Sequence, residues 1–239
     1  MFRKIARACG YDAFRLERQA RIETHLAALL PMLQVDVVVD AGANAGQFGQ
    51  KLRALGYKGD IVSYEPLSAV FPELQEAAAT DMRWHTRNKA LGTQAGTATI
   101  RQSPDSTWSS LKGFSDYGKR RFTEQDRDAV AEQIEVARLD ADLPELLGDD
   151  PRRVYLKMDT QGFDLEVFEG ARGLMHEVVG LQAEVAFQNI YDGVPGYRQT
   201  LETFEEAGFA VTGMFPVKRD RKSLRMIEMD CVMRRIDLD

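Results

Sequence analysis

The sequence predicts a doubly wound α/β protein, with a mainly parallel sheet covered by helices on both faces. Three observations carry that expectation. From residue 35 onward, runs of β-forming residues alternate with stretches of helical character. The first run, Val35 to Asp40, breaks directly after an acid into a loop with almost no side chains, where a strand of such a sheet would hand over to a helix. The last two runs, 209–215 and 225–235, follow one another with no helix between, so one of them runs antiparallel.

Taken in order, residues 1–34 read as an N-terminal helical extension. Phe2, Ile5, Phe14, Leu16 and Ile22 are spaced loosely for one face, and Arg3, Lys4, Arg7, Arg15, Arg18 and Arg21 make it locally basic. It starts with charge and lacks the apolar stretch of a secretory signal. Packing on the domain is the simple reading; peripheral contact with an anionic membrane surface or an acidic substrate is the functional one. "VDVVVD" is a strand, "QFGQKLRALG" a helix ending at Gly56, and "DIVSYEP" a second strand. "LSAVFPELQEAAAT" is a helix that Pro72 is expected to kink. "MRWHTRNKALG" and "TATIRQS" read as strand pieces around a turn, and 104–135 as a loop with some helix. "RRVYLKMD" is a strand, "DLEVFEGARGLMHE" a helix, "VVGLQAEVAF" a strand and "GYRQTLETFEEAG" a helix before the final pair. With no internal repeat or low-complexity linker, 35–239 is expected to form a single domain.

Composition bounds the function. Apolar residues make up 44% and charged residues 28%, as in ordinary soluble proteins. A net charge of −6 argues against a nucleic-acid partner, which needs a basic footprint. No run reaches the roughly 18 apolar residues of a membrane span. Cys9 and Cys231, at opposite ends, form neither a disulfide framework nor a metal spacing, so a reducing, cytoplasmic setting is expected. A homo-oligomer is compatible with these features.

The loop after Asp40 carries Gly42, Ala43, Asn44, Gly46 and Gln47. Glycine permits positive φ and close approach of a ligand, and Asn is the next most tolerant of the left-handed region. A nicotinamide fingerprint wants G-x-G-x-x-G, but positions 44 and 47 are Asn and Gln, so the glycine that admits a pyrophosphate is missing. D-x-G-x-x-x-G with a carboxylate at the strand end suits a cofactor bearing an amine and a sulfonium better. Glu65 ends the next strand and can accept both hydroxyls of an unphosphorylated ribose; Pro66 suits the first turn of the following helix.

These residues, with Asn88 to Gly92 ("NKALG"), Leu156 to Ala171 ("LKMDTQGFDLEVFEGA") and "LQAEVAF", resemble the FkbM-type family of class I S-adenosylmethionine-dependent methyltransferases over about residues 35–234. The resemblance implies a Rossmann-like, seven-stranded sheet with its last strand antiparallel, S-adenosylmethionine as cofactor, and transfer to a hydroxyl. The acceptor it implies is a sugar of a glycolipid, polysaccharide or secondary metabolite. Cofactor contacts fall on Asp40, Gly42, Ala43, Asn44, Gly46, Gln47, Glu65, Pro66, Asn88 and Asp159. Many members carry Asp-Val-Glu-Gly where this chain has Asp159-Thr160-Gln161-Gly162, so no role of that Glu carries over.

Charges stand where buried strands should be apolar: Lys157 and Asp159 in one, Glu184 in another, Glu228 and Asp230 in the last. They are either ion pairs, such as Lys157 with Glu184 or Asp230, or an active-site cluster at the strands' carboxyl ends. Asp159, Lys157, Glu184 and His85 are the catalytic candidates, with Asp159, Glu184 or His85 as the base that accepts the hydroxyl proton. A hard cation such as magnesium is the other means of acidifying a hydroxyl, with Asp159 and Glu184 as its ligands. Trp108 and Ser109 in the polar stretch 103–121, and Tyr191 after the Glu184 strand, are expected to meet the acceptor. The rival functions are an NAD-dependent oxidoreductase, a nucleic-acid methyltransferase, and a binding module on the same fold.

Overall fold

The computed structural model describes residues 21–236, so the basic stretch Phe2 to Arg18 and Cys9 lie outside the described residues. A helix α1 (Ile22–Met32) leads into β1 (Val37–Ala41), α2 (Gln47–Ala54), β2 (Asp60–Tyr64), α3 (Phe71–Ala78) and β3 (Trp84–Arg87). Next come β4 (Ala90–Leu91), β5 (Gly96–Gln102), α4 (Asp116–Arg121), α5 (Thr123–Arg127), β6 (Val130–Ala137) and α6 (Leu139–Leu147). The chain closes with β7 (Val154–Met158), α7 (Asp164–Gly170), β8 (Val178–Ala186), α8 (Tyr197–Glu206), β9 (Phe209–Arg219) and β10 (Met226–Arg235).

Seven strands form the main sheet in the order β3-β2-β1-β7-β8-β10-β9. All neighbours pair in parallel except β10, which runs antiparallel to both β8 and β9. Period-two alternation divides its core. Val37, Val39, Leu156 and Met158 face α6, α7 and α8 through Leu143, Phe168 and Phe204. Val38, Tyr155, Val179 and Val232 face α1, α2 and α3 through Leu26, Leu30, Leu52 and Leu74. Both faces are covered, so β1 and β7 bury all five of their residues, the charged Asp40 and Lys157 included.

Two expectations are corrected. Pro72 sits in the first turn of α3, where its missing N–H costs nothing, and produces no kink. The 104–135 segment contains most of β6, which pairs antiparallel with β5 and parallel with β4 in a separate three-stranded sheet. This small sheet buries Ile100, Ile134 and Val136 against Leu67 and Val70, just past the end of β2. No helix among the described residues is long and apolar enough to cross a membrane.

Candidate functional site

The loop after β1 takes left-handed backbone at Gly42 (φ 76°), Asn44 (φ 48°) and Gly46 (φ 85°). The glycines serve different ends. A Cβ on Gly42 would run into the main-chain carbonyl of Asp159, so this turn and the end of β7 are packed backbone against backbone. A Cβ on Gly46 would press on Leu74, Ala77 and Trp84 at 3.1–3.2 Å, which makes it a packing glycine at the start of α2. Asn44 holds the turn to its neighbours: its N–H donates to Glu65 Oε2 at 2.9 Å and its Nδ2 to Ser106 Oγ at 2.8 Å. Glu65 Oε1 accepts from the Leu67 N–H at 2.9 Å. Asn88 Nδ2 donates to the carbonyls of Glu65 and Pro66 at 2.9 and 3.1 Å, fixing that strand end from behind. Burial pushes the Glu65 carboxyl above its ordinary range, against the pull of the two N–H groups that donate to it.

A cavity of about 340 Å³ runs from Glu65, Pro66 and Leu67 past Gly42 and Asn44 to Asp159 and Glu184, with Trp108 and Lys218 at its far end. A second, of about 230 Å³, lies across the same loop against α1 and α2, between Phe48, Lys157, Gln182 and Asp230. Gly42, Asn44, Thr107 and Asp159 line both. Asp159 therefore stands at the junction of the two spaces.

Beneath the junction the charges are ordered. Pairing of β1 with β7 sets Asp40 beside Lys157, and the Nζ lies 2.8 Å from Asp40 Oδ1, 3.2 Å from the Gly42 carbonyl and 3.5 Å from Asp159 Oδ2. Burial alone would strip the proton from Lys157, but the Asp40 and Asp159 carboxylates outweigh it and hold the amine cationic. Trp84 Nε1 donates to Ser63 Oγ at 3.0 Å, and Ser63 Oγ donates to Asp40 Oδ2 at 3.5 Å. Above this layer, burial and then the charges of Asp159, Glu228 and Asp164 push the Glu184 carboxyl well above the usual carboxylate range. Gln161 Nε2 donates to Asp159 Oδ1 and to Glu184 Oε2, both at 3.3 Å. Lys218 lies 3.3 Å from Glu228 and 3.6 Å from the Trp108 ring centre, a cation held over an aromatic face.

The sequence matches the methyltransferase FkbM domain over residues 40–211, well over half of the chain. The chain belongs to the FkbM methyltransferase family. No curated protein matches it in sequence. Among solved structures it is similar to an rRNA methylase from Streptococcus thermophilus, with 9% identity and a TM-score of 0.48 over 91% of this chain and 98% of that one. It is also similar to Aeropyrum pernix fibrillarin, a structure with natively bound S-adenosyl-L-methionine, with 11% identity and a TM-score of 0.46 over 88% and 74% of the two chains. TehB from Haemophilus influenzae gives 10% identity and a TM-score of 0.46 over 91% and 63%.

As an FkbM-family enzyme the protein is an S-adenosylmethionine-dependent methyltransferase, and its residues fit that cofactor. Glu65 offers a carboxylate at the cavity wall, Leu67, Leu91 and Ile100 offer apolar surface for a base, and the Gly42 turn leaves no side chain between β1 and β7. Of the residues expected from sequence to touch cofactor, Gly42, Asn44, Glu65, Pro66 and Asp159 line the first cavity, and Ala43 and Gln47 the second. Asp40, Gly46 and Asn88 line neither. Asp40 is fully buried on Lys157, so the lysine's structural partner is Asp40 rather than Glu184 or Asp230. His85 is displaced from the reaction edge altogether. Its Nε2 lies 3.7 Å from Asp60 Oδ1 at the start of β2, the register sets it opposite Val62, two residues short of the carboxyl end of β2, and it lines neither cavity.

Trp108 and Ser109 line the first cavity, whereas Tyr191 stands behind it and donates to Gln161 Oε1 at 2.8 Å. Asp159 and Glu184, the pair considered for magnesium, are bridged by the Gln161 amide. Among the described residues no group of three or more His, Cys, Asp or Glu side chains is arranged to hold a metal, and an N–H donor occupies the gap between these two. Sequence reasoning missed Ser106, Gln161 and Lys218. Lys218 stands among several basic residues in 217–225, where charge alone suggests a solvated surface, and an amide or hydroxyl carries no charge to draw notice.

Proposed function

We propose that the enzyme methylates a hydroxyl oxygen, on the sugar of a glycolipid, polysaccharide or secondary metabolite, with Glu184 as the base. The observation that supports this reading is a half-buried carboxylate of raised proton affinity at the same cavity as the glycine turn, beside Trp108 and the hydroxyls of Ser106, Ser109 and Ser110. Aromatic faces and hydroxyls are what a polyhydroxylated acceptor needs for stacking and hydrogen bonding.

The cofactor, when bound, supplies a methyl group on a positively charged sulfur. Glu65 would accept hydrogen bonds from the ribose hydroxyls, Asn44 keeps the turn in place, and Asp159 would orient the groups that meet at the junction of the cavities. Holding reactants aligned removes much of the entropic barrier to displacement. Glu184 takes the proton from the acceptor hydroxyl, a contribution of typically 10²–10⁴ in rate. Lys157, held cationic, is no proton acceptor; it neutralises Asp40 beneath the site.

The test is methyl-labelled cofactor incubated with fractionated glycans, glycolipids and small-molecule extracts. Label should enter a fraction sensitive to glycosidase. With that acceptor, Glu184→Gln should lower kcat by about 10²–10⁴ while S-adenosylhomocysteine binding stays unchanged. Wild-type kcat/KM should rise with pH through the Glu184 titration, since the base works only when ionised. A Glu184→Gln enzyme with wild-type kcat refutes the assignment.

A further inference from the structure

The turn after β7 has an unusual build. Gln161 takes left-handed backbone (φ 51°), uncommon for a side chain of its kind, and Gly162 continues it (φ 89°). Side chains brace it from several sides. Ser110 Oγ donates to the Gln161 carbonyl at 2.7 Å, and the Thr160 N–H donates to Asp164 Oδ1 at 2.9 Å. The Tyr191 hydroxyl reaches both Gln161 Oε1, at 2.8 Å, and the Trp108 carbonyl, at 3.2 Å. The result is a single amide aimed between two carboxylates. In this orientation the amide donates to both carboxylates; reversed, its oxygen would face the Asp159 Oδ1 acceptor.

Negative charge, or the capacity for it, predominates around Glu184. Asp159 comes from the end of β7, Asp164 from α7, Glu228 and the register partner Asp230 from β10, and Tyr191 from the loop after β8; Lys218 from β9 is a cation that acts on it, and it is engaged with Glu228 and Trp108. An ionised Glu184 in that company needs a neutral donor.

We propose that Gln161 is a positioning residue for the proton-accepting step: its amide bridges Asp159 and Glu184, lets both carboxylates occupy one rim, and holds Glu184 in an ionisable, oriented state. The inference rests on Glu184 as the base, but its test does not need the acceptor. A glutamate here, as in many relatives by resemblance, would place a third carboxylate where this chain has a donor.

The experiment is a titration of the full chain labelled with ¹³C at glutamate carboxyls, with the Glu184 resonance assigned by its loss in Glu184→Gln. Gln161→Glu should move the Glu184 midpoint up by roughly one pH unit, the size expected of an added like charge. Gln161→Gly should move it in the same direction by less. Glycine suits the left-handed backbone and adds no charge, so this variant remains informative if Gln161→Glu folds poorly. An unchanged Glu184 midpoint in Gln161→Gly overturns the proposal, whatever its turnover. A shifted midpoint alongside a fully active Glu184→Gln would keep the bridge and remove the base.

Discussion

Replacing Lys157 by Met tests how the floor of the site is built. Methionine matches the length of the lysine stem but removes the ammonium 2.8 Å from Asp40 Oδ1. Asp40 is completely buried and would retain only the Ser63 hydroxyl, 3.5 Å away. Stranding one member of a buried pair costs about 3–5 kcal/mol, a large share of the roughly 5–15 kcal/mol by which a protein is stable. At about 2–4 °C per kcal/mol for a chain of this size, Tm should fall by about 6–20 °C. The sign of the pH dependence follows. Without its cation the buried carboxylate is penalised only while it is charged, so protonation relieves the penalty. The Tm deficit of Lys157→Met should therefore shrink as pH falls from 7 to 5. Removing both charges, Asp40→Ala with Lys157→Met, should recover much of the loss, because an apolar replacement leaves no orphaned charge. Differential scanning calorimetry of the three proteins decides it. A double variant as unstable as the single would show that packing, not the pair, accounts for the loss.

Glu65→Ala should weaken S-adenosylhomocysteine binding by about 10- to 100-fold in calorimetric titration, the scale of losing hydrogen bonds to a charged acceptor. Gly42→Ala should abolish cofactor binding or lower Tm by several degrees, since its methyl group collides with the Asp159 carbonyl at a positive φ. His85→Ala should leave methyl transfer and its pH profile at wild-type values, with at most a small stability loss from the exposed Asp60 pair. A His85→Ala enzyme with a displaced pH optimum would return the histidine to the reaction.

Much of the sheet could be read from the chain because buried parallel strands write themselves as unbroken apolar runs. "VDVVVDA" and "VYLKM" follow that pattern but for Asp36 and the Asp40–Lys157 pair buried between them, and each lies where expected. β6 was hidden for the opposite reason. Its exposed face carries Gln133 and Glu135, its buried face starts with a half-buried Glu132, its apolar positions thin to Ile134, Val136 and Ala137, and its pairing partner β5 lies about thirty residues back. The glycine turn and Glu65 were legible because backbone conformation and strand ends leave local marks. Register between strands distant in sequence leaves none, and that register made Asp40 the neighbour of Lys157 and set His85 opposite Val62. Gln161 escaped notice because its work depends on three side chains brought together from separate loops and strands.

The contrast between the turn after β1 and the Ser106–Leu111 segment sets where this enzyme can change. Gly42 is wedged against the main chain of Asp159, and Asp40 is tied to Lys157, so cofactor seat and reaction rim are one stiff unit. The strap from Ser106 to Leu111 hangs across that unit through side-chain bonds to Asn44, Gln161 and Tyr191. A change in the strap is therefore felt at Asn44 and Gln161, and redesign of one part has to respect the bonds that tie it to the other.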